Sequence, residues 1–96
     1  MLKSRKFLIL TQNGADMKIY DYNGKKNICG DRVRAARKNL GLSQENLAAR
    51  LQTEGVNIER DSVSRIEIGT RFVADFELVI LCKVLNVSAN YLLGIE

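Results

Sequence analysis

Residues 42–51 read LSQENLAARL, and one loop later residues 61–71 read DSVSRIEIGTR. Both segments have the composition of short helices, with Ser43 as an N-terminal cap of the first and Gly69 as the C-terminal stop of the second. An isolated helix of under about a dozen residues is only marginally stable in water. Both segments must therefore pack against other elements, and this pair decides the fold class.

The rest of the chain also favours helix. It contains no proline and is 46% apolar, and long stretches are rich in Leu, Ala, Arg, Gln and Glu, which are good helix formers. A chain of 96 residues fits one compact core. We predict an all-α fold of five helices: residues 32–40 after a cap at Asp31 and before Gly41, residues 44–52, residues 60–68 after a cap at Glu59 or Asn57, residues 75–85, and a short helix between Ser88 and Gly94.

The first 27 residues have a different character. KFLILT (6–11) and MKIYDY (17–22) have the composition of strands, and Asn13-Gly14 between them is a hairpin signal, so a β-hairpin is predicted there. The alternative is a leader, or a start site chosen too early, because Met17 can itself begin a domain. NGKKN (23–27) is interpreted as a polar link. We therefore divide the chain into an N-terminal extension, residues 1–27, and a helical domain, residues 28–96.

The apolar run at residues 6–11 is too short for a signal peptide or a membrane span, so a cytoplasmic protein is expected. The formal net charge is +4, and the positive excess lies before residue 74. A basic region suits a polyanion such as nucleic acid or an anionic membrane surface. No segment combines a basic face with a long apolar face, which disfavours the membrane.

Little in the sequence favours catalysis or metal binding. There is no His, and Cys29 and Cys82 are far apart without a CxxC spacing, so no metal site is expected. Cys82 is interpreted as a core residue and Cys29 as a free thiol. The chain shows no paired nucleophile and base and no phosphate-binding glycine loop. We therefore expect no enzyme activity and no cofactor.

The helix pair has one apolar stripe on each member. Leu47, Ala48 and Leu51 share a face of the first helix, and Val63 and Ile66 share a face of the second. The residues left outward on the second helix are polar or charged: Arg60, Asp61, Ser62, Ser64 and Arg65. A rigidly held helix that exposes hydrogen-bonding side chains meets the requirement for reading base edges in a DNA major groove.

Three segments in this order, LSQENLAARL, SVSRIEIGTR and LVILCKVLNVSANYLLG, resemble the helix-turn-helix domain of the Cro and phage-repressor type, also called the XRE family. The resemblance covers roughly residues 28–94. It implies a phage-repressor-like fold and sequence-specific binding of double-stranded DNA by a transcriptional regulator. A repressor acting on a roughly palindromic operator is expected.

The resemblance also implies roles for individual residues. DNA contacts are expected from Ser43 and Gln44 to phosphate, from Arg60, Asp61 and Ser62 to bases, from Ser64 and Arg65 next along the groove, and from Thr70 and Arg71 to the backbone. For Gln44, Ser62 and Ser64 the alternative is an ordinary solvated surface position. Asp61 either accepts from a cytosine amino group or, as we prefer, forms an ion pair with Arg65. Arg37 and Glu67 are expected to form a structural salt bridge.

Three features depart from the family pattern. The N-terminal thirty residues have no counterpart in the minimal domain. The connection between Leu51 and Val63 is longer than usual, and Val56 and Ile58 are expected to pack this loop onto the core. Ile68 stands where a polar residue is common, which removes one phosphate contact.

The fourth helix has a second apolar face. Leu78, Leu81, Cys82 and Leu85 form the predicted core stripe, and Phe76, Val79, Ile80 and Val84 cluster on the other side. That second face is interpreted as a homodimer seam, with coverage by the N-terminal hairpin as the alternative. The alternative function is that of an antitoxin-like module, which binds DNA and also binds a partner protein through the N-terminal extension or the fourth helix.

Overall fold

The computed structural model describes residues 21–95. Five helices follow one another in this part of the chain: α1 (Gly30–Asn39), α2 (Gln44–Thr53), α3 (Arg60–Ile68), α4 (Asp75–Leu85) and α5 (Ala89–Leu93). The predicted all-α architecture is thus confirmed over the described residues, and the helix ends fall within two residues of the predicted ones. The β-hairpin predicted around Asn13-Gly14 lies outside the described residues.

The helix ends follow local hydrogen-bonding chemistry. The Ser43 hydroxyl accepts a hydrogen bond from the Asn46 backbone amide at 3.0 Å, and the Asn46 side chain accepts one from the Ser43 backbone amide at 3.2 Å. The predicted cap of α2 is therefore confirmed, in the form of a capping box. Ser88 caps α5 by accepting from the Tyr91 amide at 3.0 Å. Gly69 ends α3 with φ of +91°, a left-handed conformation that suits glycine.

The predicted cap of α1 was wrong. This helix begins at Gly30, so Asp31 lies inside its first turn, and Cys29 occupies the cap position without a side-chain hydrogen bond. The hydrogen-bond acceptor at this end of α1 is Asn27, whose Oδ1 accepts a hydrogen bond from the Gly30 amide at 2.9 Å. Glu59 at the start of α3 likewise makes no side-chain cap bond.

The core lies between all five helices. Its fully buried side chains come from every helix and from the loop before α3: Val33, Leu47, Leu51, Ile58, Val63, Ile66, Leu81, Leu85 and Leu92. Val56 and Ile58 are both buried, so the prediction that they pack down the long loop is confirmed. The Gln52 side chain also donates to the Ile58 carbonyl at 2.7 Å, which fixes the approach to α3.

The polar segment 23–27 is an ordered turn rather than an open link. Tyr22 and Lys25 exchange two backbone hydrogen bonds of 2.7 and 2.9 Å around Asn23-Gly24. Asn23 and Gly24 have φ of +52° and +80°, as a tight type I′ turn requires. The Lys26 amide then donates to the Gly69 carbonyl at 2.8 Å. The proposed division between residues 27 and 28 therefore falls inside a docked segment.

The second apolar face of α4 is divided by the fold. Ile80 and Val84 are half-buried and pack against the core, next to fully buried Leu81. Phe76 and Val79 remain 63% and 65% exposed. Of the four residues on this face, Phe76 and Val79 are therefore the two that remain accessible to a partner.

Candidate nucleic-acid interface

Helix α3 separates its side chains into a buried and an exposed face. Val63, Ile66 and Glu67 are buried. At 100° per residue, Asp61, Ser64, Arg65 and Ile68 lie within an arc of about 100° on the opposite side. Arg60, Asp61, Arg65 and Ile68 are exposed, and Ser62 and Ser64 are half-buried. Three of the predicted reading residues, Asp61, Ser64 and Arg65, therefore share this side with Ile68. Arg60 and Ser62 lie at its two edges.

A buried ion pair fixes α3 against α1. Arg37 Nε donates to Glu67 Oε2 at 2.6 Å and Nη2 donates to Oε1 at 3.0 Å, as expected from the resemblance. The third nitrogen, Nη1, donates to the Leu42 carbonyl at 2.8 Å, so Arg37 also holds the turn before α2 against α1. The hydrogen bonds to Glu67, opposed by burial and reinforced by the carboxylate charge, raise the pKa of Arg37.

Gln44 joins this buried pair. Its Nε2 donates to Glu67 Oε1 at 2.9 Å, so the side chain at the start of α2 points toward α3. The Ser43 hydroxyl is used in the capping box. The two groups predicted to contact phosphate, the Gln44 side chain and the Ser43 backbone N–H, therefore already have partners within the protein. The first backbone N–H groups of α2 remain without a partner in the helix, as at any helix start.

The preferred interpretation of Asp61 was wrong. Its ionic partner is the neighbouring Arg60, with Nη1 3.3 Å from Oδ1, and both side chains are more than half exposed. An exposed pair of this kind contributes at most about 1 kcal/mol. Arg65 forms no ion pair with any residue between 21 and 95. Its guanidinium is therefore free within the described fold.

Arg71 is part of the fold. Its two terminal nitrogens contact Glu77 at 3.0 and 3.2 Å, and Nη1 also donates to the Phe72 carbonyl at 2.9 Å. Burial favours the neutral acid of Glu77, but the hydrogen bonds from Arg71 and the Ala74 amide and the charge of Arg71 outweigh it and lower the pKa. Thr70, the other residue predicted to contact the DNA backbone here, is exposed.

Sequence reasoning missed Asn27 and Gly30. Asn27 Nδ2 donates to the carbonyls of Ile66 at 3.1 Å and Arg71 at 2.8 Å, in addition to the bond from Gly30. A Cβ on Gly30 would overlap the Ile66 carbonyl oxygen and lie 2.9 Å from that of Glu67. An Asn placed just before a helix is a recognisable turn signal, whereas nothing local marks a glycine required by a distant backbone.

Metal ligands and thiols are the other groups in the described residues that could carry chemistry. Between residues 21 and 95, no three His, Cys, Asp or Glu side chains are grouped so as to hold a metal ion. Cys29 is buried and Cys82 half-buried, and burial raises the pKa of both thiols, which keeps them neutral. No helix in this range has the length and apolar content needed to cross a membrane.

The comparisons with known proteins agree with this geometry. A family model described as a helix-turn-helix domain matches residues 29–92, about two thirds of the chain. Neither the curated proteins nor the solved structures gave a match. The matched region begins just before α1 and ends within α5, so it includes all of the helices that hold and present α3. The chain therefore belongs to the helix-turn-helix domain family, whose members are DNA-binding domains.

Proposed function

We propose that this protein is a transcriptional regulator of the Cro and phage-repressor type that binds double-stranded DNA sequence-specifically through α3. The observation that carries the proposal is the two-sided nature of α3. One side is fixed by the Arg37–Glu67 pair and the core, and the other exposes Asp61 and Arg65 beside the apolar Ile68. A rigid helix of this kind fits a major groove. Repression is the simplest outcome, because occupying an operator requires no further contact.

Individual roles follow from which groups are free. Arg65 has no ionic partner in the described fold and is the principal base-reading residue. Arg60 and Asp61, loosely paired at the start of α3, read adjacent base positions, with Ser62 and Ser64 as hydrogen-bonding groups beside them. Phosphate contacts come from Thr70 and from the backbone amide of Gln44 at the start of α2. Arg71 and the Gln44 side chain support these groups from within the fold.

Selection of bound DNA from a random pool tests this proposal. We expect recovery of a roughly palindromic site whose binding survives excess competitor DNA and weakens steeply between about 50 and 200 mM salt. Arg65→Ala should lower affinity for that site by about 1–3 kcal/mol and relax the preference at one base position.

Arg50→Ala is the matched control. Arg50 is exposed on the last turn of α2 and lies beside Lys83 and Val84, on the α4 side of the molecule. It should leave both the affinity and the base preference unchanged. If the pool yields no enriched sequence, or if Arg65→Ala weakens all sequences equally, base reading by α3 is wrong.

The exposed pair on α4 supports a homodimer. Phe76 and Val79 are mostly exposed although both are large and apolar, which favours a contact between two chains. A two-fold dimer would present two α3 helices to successive major grooves of a palindrome. The same pair also supports the second candidate function, an antitoxin-like module that binds DNA and a partner protein. A purified protein that is monomeric and binds a palindrome only after a partner is added would favour that alternative.

A further inference from the structure

The turn at residues 22–27 lies against the C-terminal end of α3. The Lys26 amide bonds to the Gly69 carbonyl at 2.8 Å, and Asn27 bonds to the carbonyls of Ile66 and Arg71. These three hydrogen bonds come from residues before the matched helix-turn-helix region, which starts at residue 29. The turn is therefore an addition to that region, and it is held at the end of the proposed reading helix.

The turn directs a lysine across Gly69. Cβ, Cγ and Cδ of Lys25 lie 3.3, 3.2 and 2.6 Å from the position that a Cβ on Gly69 would occupy. The aliphatic part of Lys25 thus fills the space that the missing side chain leaves. Lys25 is exposed and forms no ion pair with residues 21–95. The ammonium of Lys26, by contrast, lies 5.2 Å from the centre of the Phe72 ring.

A positive charge at this place has a specific use on DNA. A helix lying in the major groove has the sugar-phosphate backbones on both sides, and the residues at its end and in the following loop are closest to phosphate. A lysine bonds to phosphate as a mobile point charge. Because the turn is already fixed by backbone hydrogen bonds, little ordering is needed when Lys25 binds.

We propose that Lys25 is a DNA phosphate contact that the docked turn adds to the helix-turn-helix surface. The proposal rests on the proposed function, because it requires α3 to lie in a major groove. Lys25 contributes affinity for any sequence and no base preference. The alternative for Lys25 is a purely structural role, because a cation near a helix C-terminus interacts favourably with the helix dipole. The experiment must distinguish this role from phosphate binding.

Lys25→Gln tests the proposal by fluorescence anisotropy on the selected duplex and on a scrambled duplex, each over a range of salt concentrations. One phosphate contact adds about 0.9 to the slope of log affinity against log salt concentration. The variant should therefore lose about 0.9 from that slope and, at 0.1 M salt, bind both duplexes about eightfold more weakly. Lys25→Arg keeps the charge and should retain the slope.

Lys83→Gln is the matched control for charge. Lys83 pairs with Glu54 and lies about 12 Å along α4 from Asp75, and its replacement should leave the slope unchanged. An unchanged slope in Lys25→Gln overturns the proposal, as does a loss of thermal stability without a change in slope, which would assign Lys25 to the helix dipole. If Arg65→Ala relaxes specificity while Lys25→Gln changes nothing, only this inference fails. If the wild-type protein does not discriminate the selected duplex from the scrambled one, both proposals fail.

Discussion

Gly30 lies where α1 packs directly against the backbone of α3. Any Cβ there meets two backbone carbonyls, Ile66 and Glu67, and neither can move without shifting α3. Gly30→Ala should therefore lower the free energy of unfolding by about 3 kcal/mol, the upper end for overpacking, although alanine is the better helix former. Urea denaturation measures this. Ala35→Ser, an addition of similar size at an exposed position of α1, should change stability by less than about 0.5 kcal/mol. A stabilised Gly30→Ala would contradict the packing described here.

The Arg37–Glu67 pair makes a second prediction at the residue scale. Removing one partner leaves the other charge buried and unpaired, so Arg37→Met or Glu67→Leu should each cost about 3–5 kcal/mol. The double variant should cost less than the sum, because no buried charge remains. Equilibrium unfolding of the three variants gives the coupling energy.

The exposed Lys83–Glu54 pair is the comparison for that cycle, with a coupling energy of at most about 1 kcal/mol expected. Equal coupling energies in the two cycles would mean that burial does not set the strength of the Arg37–Glu67 pair.

At the scale of elements, Arg71 and Glu77 join the segment after α3 to the first turn of α4. Glu77 also accepts a hydrogen bond from the Ala74 amide at 3.0 Å, so a side chain in the first turn of α4 caps the start of that helix. The start of α4 thus depends on one carboxylate whose pKa is lowered below its ordinary value of 4.5. A group of this kind stabilises the fold above its unfolded-state pKa and loses that effect as pH falls through its folded-state pKa.

Glu77→Gln should therefore differ most from the wild-type protein at neutral pH. The gap in the free energy of unfolding between the two proteins should be constant above about pH 5.5 and narrow as the pH falls below about 4.5. Urea unfolding between pH 3 and pH 7 measures the gap. In an Arg71→Met background the narrowing should be smaller, because the main group that lowers the folded-state pKa is gone. A gap that stays the same at every pH would contradict this account.

At the scale of the whole molecule, residues 21–95 carry both of the surfaces proposed to bind a partner, α3 with the docked turn and the exposed pair on α4. Val79→Glu should give a folded monomer, since the side chain is 65% exposed and its replacement disturbs no buried contact. Light scattering measures the mass, and affinity for a palindrome should fall while that for a half-site should not.

Ile95→Glu, which alters an equally exposed apolar residue outside α4, is the control and should stay dimeric. If the wild-type protein is already monomeric at the concentrations used for DNA binding, the homodimer proposal is wrong. Ile80→Glu is a poorer test, because Ile80 packs partly against the core and its loss would reduce stability.

Sequence periodicity and turn chemistry determined most of the helical architecture over the described residues. The limits of α3 and α4 and the caps at Ser43 and Ser88 are local properties, since each depends on residues within four positions along the chain. The exposed set on α3 was likewise predictable, because a 3.6-residue repeat separates buried from solvent-facing positions. The resemblance to a known family then indicated which of those exposed residues face DNA.

Only the tertiary structure decided which charged groups are free. Asp61 pairs with Arg60 rather than Arg65, Arg71 is held by Glu77, and Gln44 is drawn to Glu67. The first outcome depends on the rotamers of two neighbouring side chains, and the other two depend on how separate segments meet. Helix periodicity specifies neither. The docking of residues 22–27 on Gly69 was hidden for the same reason. Its hydrogen bonds, from the Lys26 amide and the Asn27 side chain to backbone carbonyls, join groups about forty positions apart, a distance over which local sequence patterns carry no information.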